Sequence, residues 1–320
     1  MIIKTPVSGM TRQAWLEERR KTIGGSEIGA ILGLNSFQSA YDLWLEKTGQ
    51  REAFEGNQAT EVGTELEDLV ARIFCRRSGL AVKRTNYIYR NDRYPALHAS
   101  PDRLVVGRDA GLECKTTSAF NLKKFHGEEF PAQYYAQAVQ YMAVTEKEEW
   151  YIAVLVLGTE KFYIYHLTRI GGQKKPDFCE ASLYISDAEI AALNEAAEAF
   201  RDCVINNTPP ALDGSESTTE ALNGQYPGGG GQMTLFGRDS LVQNWLDLTE
   251  QEKELKERKQ EIRNILCGDL GNNELGLCGM HKVSWKSQTR STFDSNACLR
   301  DHPEMSMYMR ESTSRTFTIK

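Results

Sequence analysis

The sequence predicts an α/β (α+β) domain, one mixed central sheet flanked by helices, with a small helix-plus-strand appendage behind it. Three observations carry that prediction. Apolar residues recur at spacings of three and four through much of residues 12–78. After Ser78 and Gly79 the period drops to two as far as residue 168, with a single helical stretch inside. A stretch rich in Gly, Pro and Ser then divides the chain near residues 206–239.

In order, helical patterning covers 12–20, then 26–33 after Gly24, Gly25 and Ser26, then 38–48, ending at Thr48 and Gly49. A longer helix is expected over 60–78, where Val62, Leu66, Leu69, Val70, Ile73 and Phe74 share a face and Ser78-Gly79 closes it. Strand-like runs follow at 85–90, 96–100, 103–107 and 111–117. A helix at 133–144 leads to strands at 150–157 and 161–168, joined through Gly158 and Thr159. The helix expected at 187–205 starts at Ser186-Asp187 and lines up Ile190, Leu193, Ala197 and Phe200. Helices, a strand meander, a helix, strands and a helix make one mixed sheet the simplest arrangement.

Residues 206–239 hold three prolines and the run Gly228 to Gly231, and read as a linker between a domain at 1–205 and an accessory region at 240–320. In that region Leu241, Leu248, Leu255 and Ile262 repeat every seven residues. Trp245 and Leu266 take the matching second seam, but Glu252 and Lys259 interrupt it. A helix over 240–267 follows, either packed on its own chain or offered to a partner. Alternation at 280–298 and 314–319 suggests a small sheet. Contact with other proteins, not catalysis, is the expected role of 240–320.

Composition narrows the function classes. With 40 % hydrophobic and 26 % charged residues the chain reads as an ordinary soluble one. No apolar run approaches the ~20 residues that span a bilayer, and the first residues lack the pattern of an export signal. A cytoplasmic protein without a membrane role is expected. Seven cysteines lack any Cys-x-x-Cys spacing, which disfavours zinc ribbons and iron–sulfur clusters. The net charge of −6 is unevenly spread: residues 1–150 carry 20 basic and 20 acidic side chains, 151–250 carry 6 and 14, and 251–320 carry 12 and 10. A neutral first half is compatible with a basic groove if its carboxylates are gathered at a metal site or on the outer surface, so charge does not decide for or against DNA.

The chemistry concentrates at Ser100-Pro101-Asp102 and, a short loop later, Glu113-Cys114-Lys115. On a strand, residues two apart share a face, so Glu113 and Lys115 project together while Cys114 points away. Asp102, at the mouth of the preceding hairpin, needs only to lean towards that face for two carboxylates to meet beside an ammonium. Asp102, Glu113 and the carbonyl of Cys114 are the hard oxygen donors Mg²⁺ prefers, with Mn²⁺ a natural substitute. Lys115 is placed to orient attacking water, and the chemistry indicated is phosphodiester hydrolysis. A solvated surface pair is the plain structural reading of Glu-x-Lys; the apolar setting of Leu112 and Cys114 argues against it, because unpaired charge there is costly.

With further motifs, this pair resembles the metal centre of the PD-(D/E)XK nuclease superfamily, and within it the phage lambda exonuclease and YqaJ-type viral recombinase nucleases. The stretch Trp15 to Gly29 is similar to that family's N-terminal segment, Gly63 to Glu67 to its helix-borne glutamate, and Tyr135 to Tyr141 to its glutamine helix. The resemblance spans roughly residues 12–170 and implies a restriction-endonuclease-like core. It implies metal ligation by Glu67, Asp102, Glu113 and the carbonyl of Cys114, and catalytic roles for Asp102, Glu113, Lys115 and Gln137. It also implies a 5′-phosphate site of Arg19, Ser26 and Ser100, in which a guanidinium and a hydroxyl at a helix start are suited to phosphate. Ser26 reads equally as an ordinary helix cap, and Arg20 competes with Arg19 for the phosphate. Asp92 matches a further family aspartate or a turn, and Tyr141 lies one helical turn from Gln137.

The activity so implied is a Mg²⁺-dependent 5′-to-3′ exonuclease on double-stranded DNA ends, leaving 3′ overhangs for a RecT/Beta-type single-strand annealing protein. A homo-oligomer, a three-subunit ring by resemblance, is implied with it. A structure-specific or restriction-like endonuclease, and a non-catalytic DNA-binding scaffold, are the alternatives. The region beyond residue 205 has no counterpart in the compact lambda enzyme, though longer YqaJ-type proteins are similar in length.

Overall fold

The computed structural model describes residues 1–52, 56–310 and 315–319. The chain divides into two compact units, Met1–Gln225 and Tyr226–Lys320.

In the first unit a six-stranded mixed sheet runs in the order β2 (Val82–Arg84), β5 (Arg103–Val105), β6 (Ala110–Ser118), β7 (Glu149–Leu157), β8 (Phe162–Thr168) and β9 (Ala181–Tyr184). The β6–β7 and β8–β9 pairs are parallel and the others antiparallel. A second sheet joins β1 (Ile2–Pro6), β3 (Tyr87–Asn91) and β4 (His98–Ala99). The helices are α1 (Arg12–Arg20), α2 (Gly25–Ile31), α3 (Ala40–Lys47), α4 (Gln58–Ser78), α5 (Ala132–Thr145), α6 (Asp187–Ile205) and α7 (Glu216–Gln225). Parallel strands need a crossover, and α5 supplies it between β6 and β7.

Each face of the large sheet has its own core. On one, Val70, Ala71 and Phe74 of α4 pack over Leu112, Tyr151, Ala153 and Ile164. On the other, α2, α3, α5 and α6 cover Trp150, Ile152, Val154, Tyr165 and Leu167. Successive residues of β7 thus alternate between cores, as a strand buried on both faces must. The helix ends follow local chemistry. Asn57 accepts the Thr60 amide to start α4, and Gly79, at φ 72°, stops it in the left-handed region open to glycine. A reciprocal Ser186–Glu189 capping box starts α6.

The helices and main strands expected from periodicity form within a few residues of their predicted limits. Three short strands, β1, β2 and β9, escape the pattern because three to five residues show too little alternation. The segment read as linker needs correction. Residues 216–225 of it form α7, which buries Ser217, Thr218 and Ala221, and the Ser39 amide donates to Ser217 Oγ at 3.0 Å. Short polar side chains that cap and bond local backbone, rather than an apolar stripe, hold this helix: Ser215 Oγ accepts the Thr218 amide, and both hydroxyls donate to Asp213. A division at residue 205 would remove it.

In the second unit α8 (Asp239–Leu270) is the expected long helix, with Leu241, Leu248, Leu255 and Ile262 exposed. The hairpin β10 (Leu275–Cys278) and β11 (His281–Ser284) follows, where Leu270 packs against Gly276. The alternation read over 280–298 ends as strand at Ser284, and 295–301 is instead the helix α9 (Ser295–Asp301), capped by Asp294. Residues 315–319 form no strand, and 314 lies outside the described residues. Among the described residues no helix is long and apolar enough to cross a membrane.

Candidate active site

Strand β6 sets the geometry. Its Leu112 faces α4, so Glu113 and Lys115 face the opposite side, towards α5. The pairing with β5 stops at Leu112, and past it the Cys114 amide donates to Asp102 Oδ2 at 2.7 Å. A strand residue directs its N–H and C=O to the same side, so the Cys114 carbonyl also faces Asp102. Asp102 therefore leans in from the loop after β4, as the sequence required.

Around this pair the contacts are dense. Lys115 Nζ donates to Glu113 Oε1 at 2.7 Å and to Gln137 Oε1 at 2.9 Å. Gln137 Nε2 donates to Glu113 Oε1 at 2.6 Å and to the Tyr141 hydroxyl at 3.2 Å. Gln137 is not the exposed polar group its helix position allowed; it is only 5 % exposed, and Tyr141 beside it is buried as well. Burial and then the Glu113 and Asp102 charges raise the Tyr141 phenol pKa, keeping it a neutral donor or acceptor. Lys115 also lies 5.3 Å from the Tyr134 ring.

Electrostatics mark the site as incomplete. Burial, then the charges of Glu113 and Glu67, lift the Asp102 carboxyl well above its ordinary pKa, against Lys115 and the Cys114 amide. Burial alone would lower the Lys115 ammonium, but Glu113 and Asp102 outweigh it and raise it. Glu113 Oε2 is buried and has no hydrogen-bond partner. Two carboxylates that repel each other, one with an unsatisfied oxygen, beside a backbone carbonyl fit a hard divalent cation.

Glu67 sits nearby with a different allegiance. Arg103 Nη1 bonds Glu67 Oε1 and also donates to the Asp102 carbonyl at 2.7 Å, while Arg84 lies 3.6 Å from the same glutamate oxygen. Arg103 also holds Asp68. Among the described residues no three His, Cys, Asp or Glu side chains form a ready-made metal cage. Both arginine contacts fall on Glu67 Oε1. The Arg84–Arg103 clamp is a feature sequence reasoning missed, since its partners lie 16 to 36 residues apart with no periodic signal.

Of the predicted phosphate residues, Ser100 lines a cleft beside Asp102, and Arg19 lies against its wall at Trp15. The cleft, of about 210 Å³, is lined by Trp15, Glu67, Arg84, Ser100, Asp102 and Arg103, among others. The Arg19 guanidinium stacks over Trp15 at 4.5 Å and donates to Ser26 Oγ at 3.2 Å. Arg20 is exposed, so the structure turns Arg19, not Arg20, towards Ser26. Glu27 folds back to accept the Gly24 amide and pairs with Lys47 at 2.8 Å. At the start of α2 the Gly24 amide is therefore taken up by Glu27. Asp92 stays apart: it is 64 % exposed and lies 3.4 Å from the Met1 amine.

Close packing of α2 on α5 holds the two groups together. A Cβ at Gly25 would come 2.4 Å from Tyr141 Cε1 and 2.8 Å from Gln137 Cγ. Gly25→Ala is expected to cost about 1–3 kcal/mol through overpacking and to displace Gln137. A melting curve should fall by several degrees, and hydrolysis should weaken more than that loss explains; an unchanged melt would refute the close approach.

Residues 14–148 match the YqaJ-like viral recombinase domain. Across 98 % of this chain and 95 % of the other, the sequence is 35 % identical to the Bacillus subtilis (strain 168) protein described as uncharacterized protein YqaJ. Among solved structures, an alkaline exonuclease from Laribacter hongkongensis aligns at 18 % identity and a TM-score of 0.49, over 61 % of this chain and 94 % of its own. A phage-related exonuclease from Haemophilus somnus 129PT aligns at 15 % identity and a TM-score of 0.42, over 58 % and 96 %.

Proposed function

Because the chain belongs to the YqaJ-like viral recombinase family, we propose that it is a metal-dependent nuclease, acting from double-stranded DNA ends in the 5′-to-3′ direction. The single observation that carries this reading is the meeting of Asp102 and Glu113, with an unpartnered buried oxygen, against the Lys115 ammonium. Mg²⁺, with Mn²⁺ as a substitute, is the cation whose ligand chemistry suits Asp102, Glu113, the Cys114 carbonyl and Glu67. When bound it supplies charge stabilisation at the phosphorus centre and a more acidic water.

The chain's own groups do the rest. Gln137 holds Glu113 and Lys115 in one orientation by bonding both. Lys115 keeps its proton and directs hydrogen bonds at the attacking water and the developing negative charge, acting by position and charge rather than as a base. Arg19, Ser26 and Ser100 are suited to grip a terminal 5′-phosphate, which would set the distance from the end to the scissile bond. The product expected is a 3′ single-stranded overhang, the substrate of a single-strand annealing protein.

Linear duplex bearing 5′-phosphates and covalently closed circular duplex, each incubated with Mg²⁺, test this. Loss of 5′-label as mononucleotides from the linear DNA, with the circle intact, is expected. Equal cutting of both would instead identify an endonuclease.

A further inference from the structure

One buried group beside the proposed end-binding residues is left without a partner. The His98 ring is 1 % exposed, and its Nε2 makes no hydrogen bond. Its other nitrogen, Nδ1, lies 2.9 Å from Thr22 Oγ1. The backbone at His98 is fixed on both sides: its amide donates to the Ile23 carbonyl at 2.9 Å, and Gln140 Nε2 donates to the His98 and Ile23 carbonyls at 2.8 Å each. The ring therefore aims Nε2 in a set direction. That direction is Gly24, where an added Cβ would come 2.9 Å from His98 Nε2 and 3.2 Å from Arg19 Nη2. An imidazole edge and a guanidinium thus pack against the same Gly24 backbone, and the same guanidinium reaches Ser26 Oγ. Ser100 Oγ, two residues along, is also buried without a partner.

Such a cluster is costly for a folded chain unless something completes it. Burial, then Arg19, Lys47 and Arg90, hold the imidazole neutral by pushing its pKa well down. A hydroxyl can donate to or accept from Nδ1, so Thr22 leaves the ring free to carry its hydrogen on Nε2. With the hydrogen on Nε2 the open nitrogen is a donor in cationic surroundings, and what it then lacks is an anionic acceptor.

We propose that His98 is a further ligand of the terminal 5′-phosphate, its Nε2–H donating to an oxygen of the group held by Arg19 and Ser26, so that it helps select phosphorylated over unphosphorylated ends. This rests on the nuclease reading above. A 5′-hydroxyl end, lacking the phosphoryl oxygens, would leave the buried donor unsatisfied, and sites of that kind discriminate strongly.

The test is the ratio of kcat/KM for 5′-phosphoryl over 5′-hydroxyl duplex. His98→Asn keeps a group at the Nδ1 position for Thr22 but cannot reach the Nε2 position, whereas His98→Gln places an amide nitrogen near it. The ratio is expected to fall about tenfold in His98→Asn, the worth of one hydrogen bond to a charged acceptor, and to recover in His98→Gln. A wild-type enzyme that hydrolyses neither duplex overturns the nuclease reading and the proposal with it; one that hydrolyses both equally overturns the proposal and leaves the nuclease reading standing. A wild type that discriminates, beside a folded His98→Asn that discriminates equally, overturns the role of His98 alone. Should His98→Asn fail to fold, the wild-type imidazole ¹⁵N shift decides. It should move on adding a 5′-phosphorylated short duplex without metal and stay put with the 5′-hydroxyl form; identical responses overturn the proposal.

Discussion

Lys115→Ala is expected to lower single-turnover hydrolysis of a 5′-phosphorylated duplex by about 10²–10⁴-fold while leaving DNA affinity within a few-fold. Its ammonium bonds both Glu113 and Gln137 and holds the position between them. Arg103, the nearest basic residue along the chain to Asp102, is committed to Glu67 and Asp68. Truncation removes an ammonium placed to donate to the attacking water from that side. The phosphate contacts at Arg19 and Ser26 remain, which is why affinity survives. Anisotropy of a labelled duplex, measured beside rapid-quench turnover, separates the two. Turnover within tenfold of wild type would remove Lys115 from the chemistry.

Asp102→Asn is expected to make the metal-free protein more stable while abolishing hydrolysis. The carboxyl is buried against Glu113 and Glu67, and its raised pKa means that the folded state takes up a proton more readily than the unfolded one. The sign follows: above the ordinary carboxyl pKa the folded state either carries a repelled charge or takes up a proton, and that cost fades as pH falls through the folded-state pKa towards the ordinary value. Asparagine keeps an oxygen for the Cys114 amide and removes the charge. A gain of about 2–4 °C in melting temperature, the worth of about 1 kcal/mol in a domain this size, is expected at pH 7, shrinking on acidification. Mg²⁺ should raise the melting temperature of wild type and not of the variant. A less stable Asp102→Asn protein, or one stabilised by Mg²⁺ as wild type is, would contradict this account.

Much of this site is visible in one dimension because it is built on short periods. Glu113 and Lys115 share a face because strand side chains alternate, and Gln137 and Tyr141 share one because helix positions four apart do. Apolar neighbours at Leu112 and Cys114 already implied that the charges were not solvated. Glu67 was reachable only by resemblance, and its tie to Arg103 and Arg84 leaves no local trace. Likewise His98 reads as a strand residue before Asp102, and nothing near it in the chain says that its open nitrogen packs against Gly24, on which the Arg19 guanidinium also lies. Helix α7 was hidden for a related reason: its stability comes from short polar caps and from α3, not from an apolar stripe.

Periodicity and helix-end chemistry were enough to determine the order of helices and main strands and to put a carboxylate and an amine on one face of β6, because both depend on neighbours a few bonds away. Folding alone decided that Asp102 turns onto the Cys114 amide, that Arg19 rather than Arg20 reaches Ser26, that Asp92 stays outside, and that Glu67 begins in an arginine clamp. Those outcomes depend on which charges and hydrogen-bonding groups from distant segments are buried together, a long-range condition that spacing along a chain does not encode.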